Sequence, residues 1–290
     1  MRYLSPSDVR KVLPMPLAID AMRLAFTDDV EFPQRVLLGR SLFMPGRVGQ
    51  LSGIKVVSTI PGKPVGTVIV FDAEGTPLGM VDGPTLTAIR TGAGAGLATD
   101  LLASPSATSM AMLGAGAMAY DQVEAVRAVR TLTDIRIWSR SGAKADALAA
   151  RFNAGRPVAS ANDAVSGADI ISTATPSRSP LFDHSAVGDA TVHLNAVGAF
   201  TPDMVEIPGS LVRRCFRVVD DVDAARAEAG DLLQAGVEPD ATMADLLHGR
   251  VEAPKGTTMF KSVGIASQDV AAAVAAIDAA ENSSAGIKFG

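Results

Sequence analysis

The stretch that decides the fold is Thr108-Ser-Met-Ala-Met-Leu-Gly114-Ala115-Gly116-Ala117-Met118-Ala119, followed by a helical pattern and then by Asp134-Ile-Arg-Ile-Trp138-Ser139-Arg140. A short apolar run enters a Gly-x-Gly-x-x-Ala turn, an amphipathic stretch follows, and a second β run closes the unit. This is the strand–turn–helix–strand context of a dinucleotide-binding fingerprint. Gly114 permits the tight turn, Gly116 lacks the Cβ that would block a pyrophosphate, and Ala119 lets the helix pack close to the strand. Ala115, Ala117 and Met118 lie where the helix N-terminus offers free N–H groups to phosphates. In a chain rich in Ala and Gly the glycine spacing alone is a weak signal; the flanking β runs make it specific. Residues 1–107 precede the unit, so the cofactor domain is inserted between other material.

The end of the second strand bears on which dinucleotide is bound. An NAD-selective site places Asp or Glu there to hold the ribose 2′-hydroxyl. Here the strand ends Trp138-Ser139-Arg140-Ser141, with no acid. Ser139 and Ser141 can donate to a 2′-phosphate, and Arg140 can pair with it or stack on adenine. NADPH is therefore expected over NADH, with an ordinary solvated loop arginine as the alternative reading of Arg140.

Composition bounds the class. The 290 residues are 48% apolar and 20% charged, as in a globular protein with room for two domains. A net charge of −5 and the absence of a basic stripe argue against a nucleic-acid partner. No apolar run reaches membrane-spanning length. The start, Met1-Arg-Tyr-Leu-Ser-Pro-Ser-Asp, lacks a hydrophobic signal segment, which predicts a cytoplasmic protein. The single cysteine, Cys215, excludes an internal disulfide, and the dispersed His184, His193 and His248 suggest no metal site.

Outward from the fingerprint, Ser5-Pro-Ser-Asp8 reads as a helix cap and Pro16–Asp28 as a second helix. From Val36 to Val81 the pattern changes to short β runs broken by Gly and Pro, including Gly53-Ile-Lys-Val-Val-Ser58 and Thr67-Val-Ile-Val-Phe71 before the turn Asp72-Ala-Glu-Gly75. These predict an antiparallel sheet. Gly83–Ala103 reads as a helix. Further strands are expected at Ala168–Ala174, Thr191–Val197 and Phe216–Val219, and the segment from Met259 onward reads as one apolar helix that packs back on the first domain. The fold class is therefore α/β, a Rossmann-type domain over 107–261 inserted into a second domain made of 1–106 plus 262–290.

The blocks Gly53-Ile-Lys55-Val-Val-Ser, Leu86-Thr-Ala-Ile-Arg90-Thr91, Gly114–Ala119, Ala168-Asp-Ile-Ile-Ser-Thr-Ala-Thr175-Pro176-Ser177, His193-Leu-Asn-Ala-Val197-Gly198 and Phe260-Lys261-Ser-Val-Gly264 together resemble the ornithine cyclodeaminase/μ-crystallin family along nearly the whole chain. The resemblance implies an α+β substrate and dimerisation domain around the Rossmann domain, a homodimer, and an imino- or amino-acid substrate. Family members include cyclodeaminases, alanine dehydrogenases, reductases of cyclic and linear ketimines, and NADP-binding μ-crystallin.

Lys55 sits in an apolar β run, where a lysine is rarely turned inward without a partner; an outward-facing strand lysine is the alternative. The resemblance implies that it contacts a substrate carboxylate and donates a proton. Arg90 would be the main carboxylate clamp, a role suited to a fixed guanidinium. Arg35, in Phe32-Pro-Gln-Arg35, would be a second carboxylate ligand. Thr175, Pro176 and Ser177 end a strand that faces the cofactor crevice of an open α/β sheet. Asn195, Val197 and Gly198 end a later one and are expected beside the nicotinamide, with Thr91, Lys261 and Ser262 also near the cofactor.

One departure is informative. Cyclodeaminases of the family carry an aspartate two residues after the Gly198 equivalent, and this chain has Phe200. Phenylalanine cannot take a proton from an amine or activate water, which weakens a cyclodeaminase reading, and Asp203 is too far along to replace it. Reduction of a preformed ketimine carboxylate needs only a clamp, a hydride donor and a proton. Phe200 would then form an apolar wall for a ring. The expected reaction is reduction of Δ1-pyrroline-2-carboxylate to L-proline, with Δ1-piperideine-2-carboxylate as co-substrate. An alanine-type dehydrogenase and a non-catalytic NADP-binding protein are the rivals.

Overall fold

A computed structural model describes residues 1–60 and 65–289, and it resolves into two compact units. One comprises Met1–Ala93 with Ile265–Gly290, the other Gly94–Gly264. The chain passes between them inside helix Gly83–Leu102 and again at Gly264/Ile265, against expected edges at 106/107 and 261/262. Residues 61–64, within the region read as broken β runs, lie outside the described residues.

The first unit is built on an eight-stranded sheet. Its path runs Ile287–Lys288, Arg2–Leu4, Pro77–Asp82, Gly66–Phe71, Leu51–Ser58, Ser41–Val48 and Val30–Glu31, with Val36–Leu38 also pairing with Ser41–Val48. Apart from the parallel pairing of Arg2–Leu4 with Pro77–Asp82, the sheet is antiparallel. The expected cap is present as a capping box, Ser5 and Asp8 exchanging hydrogen bonds at the start of helix Pro6–Val12.

Alternation along the strands separates two faces. Gly53, Lys55, Val68, Val70 and Val81 are buried on one face, while Ile54, Val56, Ile69 and Met80 are half-buried on the other. The Ala-rich helix Ala266–Glu281 crosses the buried face. Its approach is close enough to dictate glycine: a Cβ at Gly46 would fall 2.9 Å from that of Ala266. A Cβ at Gly53 would lie 2.7 Å from the Ile69 carbonyl oxygen and 3.0 Å from Val270.

The second unit carries an eight-stranded, wholly parallel sheet. Its order is Gly155–Pro157, Asp134–Trp138, Ser109–Leu113, Ile170–Thr173, His193–Ala196, Thr258–Lys261, Phe216–Val219 and Ala241–Thr242. In Ser109–Leu113, Met110 and Met112 enter one core cluster and Ala111 and Leu113 another, as expected of a strand covered by helices on both faces. Strand order reverses between Ser109–Leu113 and Ile170–Thr173, the switch point where open α/β sheets bind their ligands.

The segment from Met259 corrects the sequence expectation. It is not one helix: Thr258–Lys261 is a strand inserted between His193–Ala196 and Phe216–Val219, and the helix begins only at Ala266. Thr258 and Phe260 favour β structure, parallel partners wait on both sides, and Gly264, at φ +80°, separates strand from helix.

The close helix–sheet contact gives a stability prediction. Gly53→Ala should lower the urea unfolding midpoint by the equivalent of ~1–3 kcal/mol, because the added methyl meets backbone rather than a flexible side chain. An unchanged midpoint would show that the neighbouring strand at Ile69 and the Val270 side chain can give way at no cost.

Candidate functional site

In the Rossmann unit, strand Ser109–Leu113 ends in the loop Gly114–Met118, and helix Ala119–Val129 follows. Gly114 has φ +112°, a backbone conformation closed to most side chains, and its amide donates to the Trp138 carbonyl at 2.8 Å, fixing the turn. Gly116 is exposed, and a Cβ there would meet nothing within 4 Å. The loop is thus open beside a helix N-terminus whose first N–H groups have no intrahelical partner, a fit for a dinucleotide pyrophosphate. After Trp138, Ser139 is half-buried and Arg140 and Ser141 are exposed.

The other strand ends of this sheet form a second set. Thr175 and Ser177 are half-buried and Pro176 exposed, next to Gly198. Contact between these loops is tight, since a Cβ on Gly198 would lie 2.2 Å from the Thr175 amide nitrogen. Phe200 is 45% exposed. Asp203 is held by the Thr201 hydroxyl and by Arg178 at 2.8 Å, and these keep its carboxyl below the usual range. It is an exposed, paired anion and no substitute for the aspartate missing at Phe200.

Four residues expected near the cofactor have buried side chains. Lys261 is fully buried, its ammonium bonded to the Ala199 carbonyl and paired with Asp231 at 2.9 Å. Val197 belongs to a buried apolar cluster with Ile170 and Ala174. Asn195 is buried in a polar network, donating to Thr99 at 2.9 Å and facing His193 at 3.1 Å. Burial pushes that histidine down to about 4, so it is neutral and structural. Ser262 donates to Asp220 at 2.8 Å, also buried.

In the other unit, Lys55 lies on the helix-facing side of strand Leu51–Ser58, between Met44 and Val68. Its ammonium donates to both carboxylate oxygens of Asp269, at 3.1 and 3.2 Å. Arg90, inside helix Gly83–Leu102, donates through Nε to the same carboxylate at 3.0 Å and through Nη1 to the Gln268 side chain at 3.1 Å. All three charged groups are buried, with exposures of 5%, 5% and 1%. Two cations therefore share one carboxylate. Arg35 is half-buried, and its charge acts on Lys55 as Arg90 does. Desolvation, helped by these cations and opposed by Asp269, lowers Lys55 to about 8. Asp269 is driven the other way: despite burial, Arg90 and Lys55 hold it below the usual carboxylate range. Thr91, beside Arg90, is buried in the same helix.

Sequence reasoning assigned no role to Asp269 or Glu206. Asp269 lies inside the segment from Met259 that reads as one apolar helix, and only the later start of that helix, at Ala266, puts it in the first turn. Glu206 is fully buried and accepts hydrogen bonds from Thr173, Thr175, Gly198 and Ala199. Among the described residues no group of three or more His, Cys, Asp or Glu side chains is placed to hold a metal ion, and no helix is long and apolar enough to cross a membrane.

Comparison with known proteins agrees with this geometry. The chain is 35% identical over 224 residues to the ketimine reductase μ-crystallin of Macropus fuliginosus, covering 76% of this chain and 71% of that protein. It is 33% identical over 295 residues to the Δ1-pyrroline-2-carboxylate/Δ1-piperideine-2-carboxylate reductase of Azospirillum brasilense, covering 94% of each. Among solved structures, it superposes on Thermococcus litoralis Δ1-pyrroline-2-carboxylate reductase, determined in complex with NADH and L-proline, with a TM-score of 0.92 and 27% identity over the full length of both chains. The family model of the ornithine cyclodeaminases and μ-crystallins matches residues 27–284, and this chain belongs to that family.

Proposed function

We propose that the protein is a ketimine reductase that converts Δ1-pyrroline-2-carboxylate to L-proline, accepts Δ1-piperideine-2-carboxylate, and favours NADPH over NADH. The observation that carries the reading is the buried pair of cations, Lys55 and Arg90, set against the single anion Asp269. A buried site with one positive charge in excess is stabilised by a second anion, and a substrate carboxylate supplies it. Relatives named as reductases of these substrates support the same chemistry.

Arg90, fixed by Asp269 and Gln268, orients the carboxylate, with Arg35 as a second ligand. Lys55 adds a short-range positive charge and holds the proton that the imine nitrogen must gain; its lowered proton affinity suits it to give that proton up near neutral pH. A bound reduced nicotinamide supplies the hydride. Phe200 offers an apolar surface to the ring, and no residue on its loop is an available base, as deamination would require. Loop Gly114–Met118 holds the pyrophosphate and Thr175–Ser177 lies by the nicotinamide. Arg140, with Ser139 and Ser141, receives the 2′-phosphate. The outward sheet face, with Ile54, Val56, Ile69 and Met80, and the exposed Val36, Leu37 and Leu38 provide the apolar surface for a homodimer.

Loss of NADPH absorbance with purified protein and Δ1-pyrroline-2-carboxylate tests the reading, with NADH and pyruvate plus ammonia run in parallel. Fast oxidation with the cyclic imine, faster with NADPH, is expected. Arg90→Ala should raise the substrate KM by about tenfold or more, and Arg140→Ala should narrow the cofactor preference. Consumption only with pyruvate plus ammonia would make the protein an alanine-type dehydrogenase instead.

The pH profile follows from Lys55. Its folded value, about 8, is below the ordinary 10.5, so kcat/KM should fall as pH rises through about 8 and the proton is lost. Stability changes in the opposite sense: between about 8 and 10.5 the unfolded chain binds the extra proton, so the folded state gains with rising pH. Asp269→Asn removes the anion that raises Lys55. It should move the alkaline limb to lower pH and destabilise the fold by ~3–5 kcal/mol. An alkaline limb that does not move in this variant would remove Lys55 from the proton-donor role.

A further inference from the structure

Glu206 has no place in the chemistry above, yet five hydrogen-bond donors converge on its buried carboxylate. Its Oε1 accepts from the Thr175 amide at 2.6 Å and the Thr175 hydroxyl at 2.8 Å. Its Oε2 accepts from the Gly198 amide at 2.8 Å, the Ala199 amide at 3.1 Å and the Thr173 hydroxyl at 2.9 Å. These donors come from the ends of two neighbouring parallel strands, Ile170–Thr173 and His193–Ala196. Those strands run on into the loops that carry Thr175–Ser177 and Phe200.

The carboxylate is itself fixed from behind. Asp231 accepts from the Glu206 amide at 2.7 Å and the Ile207 amide at 3.0 Å, and it pairs with Lys261, whose ammonium also bonds the Ala199 carbonyl. The same segment is tied to the first loop by the Val205 amide on the Ser177 carbonyl at 2.9 Å and the Leu181 amide on the Glu206 carbonyl at 2.9 Å. Three backbone N–H groups that would otherwise be buried without acceptors thus converge on one side chain. A backbone N–H cannot turn to find another partner as a hydroxyl can.

We propose that Glu206 is a positioning residue of the reductase: its carboxylate sets the spacing of the Thr175 and Gly198–Phe200 loops and thereby the seat of the nicotinamide ring. The inference rests on the functional reading above for the identity of the ring's site. Glutamine in place of the glutamate matches the shape but turns an NH2 toward at least two donors, one of them a backbone N–H, whichever way the amide lies. The loops then separate, and the loss falls on the ring more than on the pyrophosphate, because Glu206 bonds only the Thr173–Thr175 and Gly198–Ala199 segments and reaches loop Gly114–Met118 only through the packing of Ala174 and Thr175 on Gly114.

The test compares Glu206→Gln with the parent and with Asp231→Asn, a variant that loosens the segment behind Glu206 but leaves its carboxylate on both loops. Cofactor binding is read by calorimetric titration with NADPH and, separately, with ADP-ribose, which lacks the ring. Glu206→Gln should weaken NADPH binding by about tenfold or more and leave ADP-ribose binding within about twofold. It should also lower kcat at saturating NADPH with the substrate KM little changed. Asp231→Asn should lower the thermal midpoint without this selective loss.

If Glu206→Gln does not fold, Thr173→Val and Thr173→Ser decide. Valine, which removes the hydroxyl from Oε2, should show a smaller loss in the same ring-specific direction, and serine should restore parent behaviour. Equal losses for NADPH and ADP-ribose, or no loss in any of these variants, would overturn the role. Because binding is measured without substrate, a parent that binds NADPH but ignores Δ1-pyrroline-2-carboxylate would refute the reductase reading and leave the Glu206 comparison standing.

Discussion

The buried contact of Lys55 and Arg90 with Asp269 is the constraint on which the unit of Met1–Ala93 and Ile265–Gly290 depends. Removing three charges from water is costly unless their mutual attraction and hydrogen bonds compensate. Here the compensation requires a strand, a long helix and the C-terminal helix to meet within about 3 Å of one carboxylate. Gly46 and Gly53 make this meeting possible, because any side chain there would hold helix Ala266–Glu281 away from the sheet. The Ala-rich composition of that helix serves the same end. Packing and charge placement are one design: the helix that covers the sheet also delivers Asp269.

On the proposed reading the cluster serves binding as well as folding. Asp269 fixes both cations but neutralises only one equivalent of their charge. Burial also lowers Lys55 to about 8, and Arg90 is held in place by Asp269 and Gln268. In the Rossmann unit the loops make the complementary statement by what they omit. Phe200 stands where the family resemblance leads one to expect the aspartate of the cyclodeaminases, and Asp203 is bound to Thr201 and Arg178.

Much of the Rossmann unit was legible because its signals are local. The glycines, the flanking β runs and the acid-free strand end lie within residues 108–141, and each constrains backbone or charge within a few positions. Lys55 was legible as a lysine in an apolar strand. Asp269 was not: it lies 214 residues from Lys55, and nothing in an Ala-rich amphipathic pattern tells which strand it will face. Thr258–Lys261 was misread for a related reason, since its apolar run continues into the helix and only the parallel partners on either side select the strand. Lys261 was expected near the cofactor because it falls close to where the last helix was read to begin; its pairing with Asp231 in the interior carried no sequence signal. The strands Gly155–Pro157 and Ala241–Thr242 are too short to carry a period.

The central claim, that the excess positive charge of Lys55 and Arg90 exists to hold a carboxylate, is open to a direct measurement. Calorimetric titration of the NADP-loaded protein with L-proline and with L-prolinamide compares two ligands that differ in that group alone among their polar contacts to the clamp. The account predicts that proline binds and that prolinamide binds at least about tenfold more weakly. Equal affinities would mean that the buried cations stabilise the fold without reading the substrate, and the assignment of this cluster to the reaction would fall.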